Sequence, residues 1–176
     1  TLAHAHNGNL LSAELYPALQ RAEQEAAAWL CDSFGFEHAA FTHGGSQANL
    51  EALWLARDRD REGRRLVYGG AATPYSIPKA CQILGPEFRG IAGGENDRLR
   101  PDALSDACSR MPPLAIVLNA GATATGMLDP LEETLALARA HGVWTHIDAA
   151  WGGALILLPE NRQRFAAIAQ SDSLGF

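Results

Sequence analysis

The chain has a single lysine. Thirteen of its 14 basic residues are arginine, so Lys79 is the only side chain that could form a Schiff base with a carbonyl compound. Cysteine is also scarce. Cys31, Cys81 and Cys108 lie far apart, match no metal-ligand spacing and leave one thiol over in any disulfide scheme. This argues against a disulfide scaffold and for core or half-buried thiols in a reducing, cytoplasmic compartment. No apolar run approaches the roughly 20 residues of a membrane-spanning helix. Positive charge is in deficit: the net charge is −6, and the only basic cluster, Arg57 to Arg65, is interleaved with acids. A nucleic-acid surface is therefore not expected. An initiating Met and a signal-peptide pattern are missing too, and the opening Thr-Leu-Ala-His is what an internal piece of a longer protein would show.

What remains is globular. With 176 residues, 47% of them hydrophobic and 19% charged, one domain with a proper core is expected. Leu15, Leu19, Ala22, Ala26, Trp29 and Leu30 share one face of a helix that Pro17 opens and Gly35 follows. The leading His4 and His6, beside the turn cluster Asn7-Gly8-Asn9, have no second cluster to complete a metal site and are expected to be exposed. Ala39 to Thr42 is expected as a short strand before a helix with Leu50, Leu53 and Trp54 on one face. Further strands are expected at Leu66–Tyr68, Phe88–Ala92, Leu114–Leu118 and Val143–Ile147, alternating with helices over Ile77–Leu84, from Arg100 through Cys108, and around Leu131, Leu135 and Ala138. Such alternation implies an α/β fold with a mostly parallel sheet between helices.

Three strand ends carry ligand-type residues. His146-Ile147-Asp148-Ala149-Ala150-Trp151-Gly152-Gly153 puts Asp148 at the carboxyl end of a buried strand, where open α/β sheets bind ligands. A buried carboxylate needs a cationic or hydrogen-bonding partner, and a protonated pyridine nitrogen is one; an Asp that merely starts a loop, or one paired structurally, is the plainer alternative. His43-Gly44-Gly45-Ser46-Gln47-Ala48-Asn49 joins a strand to a helix, with two glycines, a hydroxyl and a helix N-terminus suited to a phosphate. An ordinary Gly-Gly turn with Ser46 as N-cap explains the same residues. The third end is the small-residue loop Asn119-Ala120-Gly121-Ala122-Thr123-Ala124-Thr125-Gly126. By strand alternation His146 leaves on the same side as Asp148 and Trp144, which makes it a support for the carboxylate rather than a metal ligand, with a satisfied core histidine as the plainer alternative.

In this order and spacing, the segments NGNLLSAELYPALQRAE, FTHGGSQANLEALWLAR, YSIPKACQILG, NAGATATGMLDPL and HGVWTHIDAAWGGALIL resemble the group II pyridoxal 5'-phosphate (PLP)-dependent amino acid decarboxylases, which act on aromatic amino acids, glutamate or diaminobutyrate. The resemblance runs almost end to end. It implies the aspartate-aminotransferase-type fold (PLP fold type I), whose large domain has a seven-stranded mixed sheet, and a homodimer with its active site at the subunit boundary. It implies that Gly45 and Ser46 hold the cofactor phosphate, that Asp148 pairs with the pyridinium nitrogen, that Ala150 packs against the ring and that Thr123 lies near it. No metal is implied.

Two departures stand out. The family places a His before Tyr-Ser, stacked on the ring; here Pro74 precedes Tyr75, with no π face, leaving Tyr75 as the nearest substitute. Ala122 replaces the first Thr of the family's Gly-Thr-Thr loop. The resemblance further implies that residues 1–176 are a single PLP-binding large-domain fragment. It would lack the segment with the Schiff-base lysine and the C-terminal small domain, and so would not decarboxylate an amino acid by itself. A non-catalytic remnant acting as a binding or dimerisation module is the alternative.

Overall fold

The computed structural model describes residue 8 and residues 10–176, so the expectations for His4, His6, Asn7 and Asn9 lie outside the described residues. Two compact units are distinguished, Thr1–Phe41 and Thr42–Phe176. The first contains helix α1 (Pro17–Phe34), opened by Pro17 and closed by Gly35 at φ 79°. Proline suits that position because its missing N–H has no intrahelical acceptor there, and glycine adopts the left-handed conformation without a Cβ clash.

The second unit runs α2 (Gly45–Arg59), β1 (Leu66–Gly70), α3 (Ser76–Leu84), β2 (Glu87–Ile91), α4 (Pro101–Arg110), β3 (Ala115–Asn119), α5 (Leu131–Ala140), β4 (Trp144–Asp148), a series of short turns including α6 (Arg162–Phe165), and β5 (Ser173–Gly175). The strands form one parallel sheet in the order β2-β1-β3-β4-β5. β1 and β3 are buried throughout, as strands covered on both faces must be. Val67, Ala115 and Val117 face Leu53 and Ala56 of α2 and Ile77, Ala80 and Cys81 of α3. On the other face the Tyr68 hydroxyl donates to the Met111 carbonyl at the end of α4. Each large apolar side chain so buried stabilises the fold by about 1.5–3 kcal/mol.

The sequence places most elements within two or three residues of where they lie. Ala39–Thr42, however, is not a strand: it has no ladder partner and leads directly into the turn before α2. β5 has no counterpart in the sequence reading. Asp172 sets its position, its Oδ2 accepting from Thr145 N at 2.7 Å and Thr145 Oγ1 at 2.8 Å, which locks His146 opposite Ser173. Trp54 is half exposed rather than packed, with the Arg57 guanidinium 5.9 Å from its ring centroid.

Candidate cofactor site

The strand order reverses between β1 and β3, and ligands of open α/β sheets bind in the crevice beyond the strand ends at such a point. The loops that follow β1 and β3 carry Pro74-Tyr75 and Thr123, and the next strand, β4, ends in Asp148. Asp148 is half-buried. Its Oδ1 accepts from Ala150 N at 3.1 Å and its Oδ2 from Asn49 Nδ2 at 2.8 Å. Among the described residues no cation pairs with it.

Asn49 belongs to α2 and is buried among that helix's core-facing residues. Its Nδ2 also reaches Ser76 Oγ at 2.9 Å, and its Oδ1 meets His146 Nε2 at 2.8 Å. The other ring nitrogen of His146 lies 3.0 Å from Ser173 Oγ, which accepts from Trp144 Nε1 at 3.0 Å. His146 is fully buried, and burial pushes its pKa down to about 4, against the opposing pull of Asp148. It is therefore neutral at pH 7, and it is linked to Asp148 through Asn49 rather than directly. No cluster of three or more metal-ligating side chains exists among the described residues.

The N-terminus of α2 lies beside this carboxylate, since a methyl group on Gly45 would be 3.7 Å from the Ala150 Cβ. Gly44 is the N-cap, at φ 107°, with no side chain capping the helix. Its carbonyl accepts from Gln47 N and Ala48 N. The amides of Gly45 and Ser46 belong to the first turn, which has no intrahelical acceptor. The plainer explanation of this turn, Ser46 as N-cap, is thereby set aside: Ser46 is inside the helix and exposed.

Ser76 ties the start of α3 to the same network, which puts Pro74 and the largely exposed Tyr75 next to it in the chain. Lys79 is exposed on α3. The loop after β3 is anchored by buried Asp129, which accepts from Leu99 N, Asn119 N and Asn119 Nδ2. At Gly121, φ 105°, that loop packs so closely on Trp151 and Gly152 that an added Cβ would lie 2.9 Å from the indole. Thr123 is exposed on the loop and, among the described residues, makes no hydrogen bond to Asp148 or to the turn before α2. Asp148, Ala150, Gly45 and Ser46 are thus brought together, and Thr123 is left at the margin. Asn49 and Ser76 escape notice in the sequence. The available signal was an Asn in a helix interior on its apolar face, where its own propensity is poor.

A cleft of about 310 Å³ opens at the opposite end of the strands, beside the amino ends of β3, β4 and β5, lined by Arg59, Arg64, Arg139, Trp144 and Asp172 among others. Despite its size it is the poorer candidate. Arg59 and Arg139 sit in the last turns of α2 and α5, whose carbonyl ends oppose an anion. Asp60 and Arg64 satisfy one another at 2.7 Å.

Residues 1–176 match the pyridoxal-dependent decarboxylase conserved domain. The chain belongs to that family. It is 37% identical over 145 residues to an L-2,4-diaminobutyrate decarboxylase of Rhizobium meliloti (strain 1021), a match covering 76% of this chain and 29% of that relative. Among solved structures it resembles mouse CSAD in apo form at TM-score 0.89 and 27% identity, over 98% of this chain and 41% of that one. It also resembles Oryza sativa TDC with PLP and tryptamine at TM-score 0.84 and 25% identity, covering 98% of this chain and 44% of that one. The chain thus spans less than half the length of these relatives. The fold expected from the sequence is the one these family structures share, seen here as five parallel strands between helices.

Proposed function

We propose that residues 1–176 form the cofactor-binding core of the large domain of a PLP-dependent amino acid decarboxylase, a carboxy-lyase that releases carbon dioxide from an L-amino acid. The observation that carries this reading is Asp148, a half-buried carboxylate without a cationic partner among the described residues, beside the uncapped N-terminus of α2. The residues fit the cofactor at both ends. Gly45 and Ser46 offer amides and a hydroxyl to a phosphate, and Asp148 offers a negative charge to a protonated ring nitrogen. When bound, PLP supplies an electron sink for the charge left by departing carbon dioxide. The chain's own part is to hold the ring nitrogen protonated at Asp148, to pack Ala150 against the ring and to grip the phosphate. Pro74, Tyr75 and Thr123 line the approach.

The likeness to the diaminobutyrate decarboxylase favours an enzyme over a non-catalytic binding or dimerisation module. The same reading gives the whole protein an amino acid substrate, a homodimeric state and a cytoplasmic location. Lys79, the only lysine, is exposed on α3, so this chain alone is expected to bind PLP weakly and to be inactive.

Absorbance titration with PLP of the wild type and of Asp148→Asn tests the reading. A charge-assisted contact contributes about 1.5–3 kcal/mol, so affinity should fall roughly 10- to 100-fold in the variant. Equal binding by both proteins rejects it. Borohydride reduction should leave no pyridoxyl group on Lys79; a stable adduct there with carbon dioxide release, both lost in Lys79→Ala, would show that the chain is a complete catalyst.

A further inference from the structure

We propose that Asn49 is a positioning residue for Asp148, and that the one amide orientation able to do this fixes the tautomer of His146. The inference rests on the PLP reading for its consequence but on geometry for its substance. A carboxylate only accepts hydrogen bonds, so the group that Asn49 turns toward Asp148 Oδ2 at 2.8 Å must be its NH2. The second hydrogen of that NH2 goes to Ser76 Oγ at 2.9 Å. Both Asn49 donors are then used, and its Oδ1 has to face His146 Nε2 at 2.8 Å as an acceptor.

This fixes the proton on His146. Nε2 carries it, and Nδ1 is a bare acceptor that receives the Ser173 hydroxyl at 3.0 Å, while Trp144 Nε1 donates to the same oxygen. The Ser173 hydroxyl has a second, longer contact to the Thr145 carbonyl at 3.4 Å; with its hydrogen on the nearer Nδ1, the donors run from Trp144 to Ser173 to His146 to Asn49 to Asp148. Flipping the Asn49 amide would set its oxygen against the carboxylate, a mismatch of about 1–3 kcal/mol, and would force the His146 proton onto Nδ1. Gly175 lets the pair approach, since a Cβ there would be 3.2 Å from Asn49 Oδ1 and 3.5 Å from His146 Cε1. The carboxylate is thus held with Oδ2 engaged by Asn49 and Oδ1 by Ala150 N, and each oxygen keeps one acceptor position for a cationic ring nitrogen.

The test combines two readouts on the whole protein, with melting temperature as the check on folding. In the PLP-free protein, the nitrogen NMR shifts of His146 should show a single tautomer protonated at Nε2, and Asn49→Ala should disturb it. In PLP titrations, Asn49→Ala should weaken binding about tenfold when Asp148 is present and less than twofold in the Asp148→Asn background, because a residue that acts through Asp148 has nothing to act on there. Equal losses in both backgrounds would show a structural role only and overturn the proposal, as would a wild-type His146 protonated at Nδ1. Failure of the wild type to bind PLP would reject the cofactor reading instead, and the His146 spectrum would then decide the Asn49 assignment by itself.

Discussion

Asn49 Nδ2 stands 2.8 Å from Asp148 Oδ2 across 99 positions of sequence, and the opposite end of the same amide meets the ring of His146. A helix residue, a strand residue and the strand-end carboxylate thereby act as one unit, and the buried imidazole at its centre makes that unit sensitive to acid.

His146 has its folded pKa lowered by burial to about 4, from an ordinary value of 6.5. The unfolded chain therefore binds the extra proton first, and stability falls as pH drops from about 6.5 to about 4. The shift corresponds to about 3 kcal/mol at most. Urea unfolding across this range should show a loss in the wild type that exceeds the loss in His146→Gln by up to that amount. Parallel curves for the two proteins would contradict the neutral, buried assignment.

Gly152 cannot carry a side chain. A Cβ there would lie 2.1 Å from the Ala120 carbonyl oxygen, and both partners are backbone. Gly152→Ala should cost about 2–3 kcal/mol, the upper part of the range for overpacking, or roughly 4–12 °C in Tm for a chain of this size. Gly90→Ala is the control: nothing lies within 4 Å of its would-be Cβ, and Tm should hold within about 2 °C.

Asp129 satisfies three N–H donors of the β3 end and the segment before α4. Asp129→Ala strands the buried amides of Leu99 and Asn119, at about 1–3 kcal/mol each. Denaturant unfolding should register a loss of at least about 2 kcal/mol, with faster amide exchange in the loop that carries Thr123. An unchanged midpoint would mean that water replaces the carboxylate without cost.

Legibility in the sequence followed the range of each interaction. Asp148 could be placed because the run Val143–Ile147 is apolar, and α1 because Pro17 and Gly35 mark its ends. β5 escaped because Ser173-Leu174-Gly175 is too short for any period, and it is long-range contacts, the ladder with β4 and the Asp172 bonds to Thr145, that bring it to the sheet. Ala39–Thr42 failed in the opposite sense: short apolar runs cannot be told from loops by pattern alone. Ser46 was recognised as part of a phosphate-type turn, yet Asn49, three residues on, was not singled out, since its partners Ser76, His146 and Asp148 are 27 to 99 residues away.

The most direct test of the cofactor site is an amide-resolved NMR titration of the labelled protein with PLP. The account predicts saturable shifts at Gly45, Ser46 and Ala150, the residues that join the N-terminus of α2 to the end of β4. Shifts confined to Arg59, Arg139 and Trp144 at the amino end of the strands, with Gly45 and Ser46 unmoved, would contradict it.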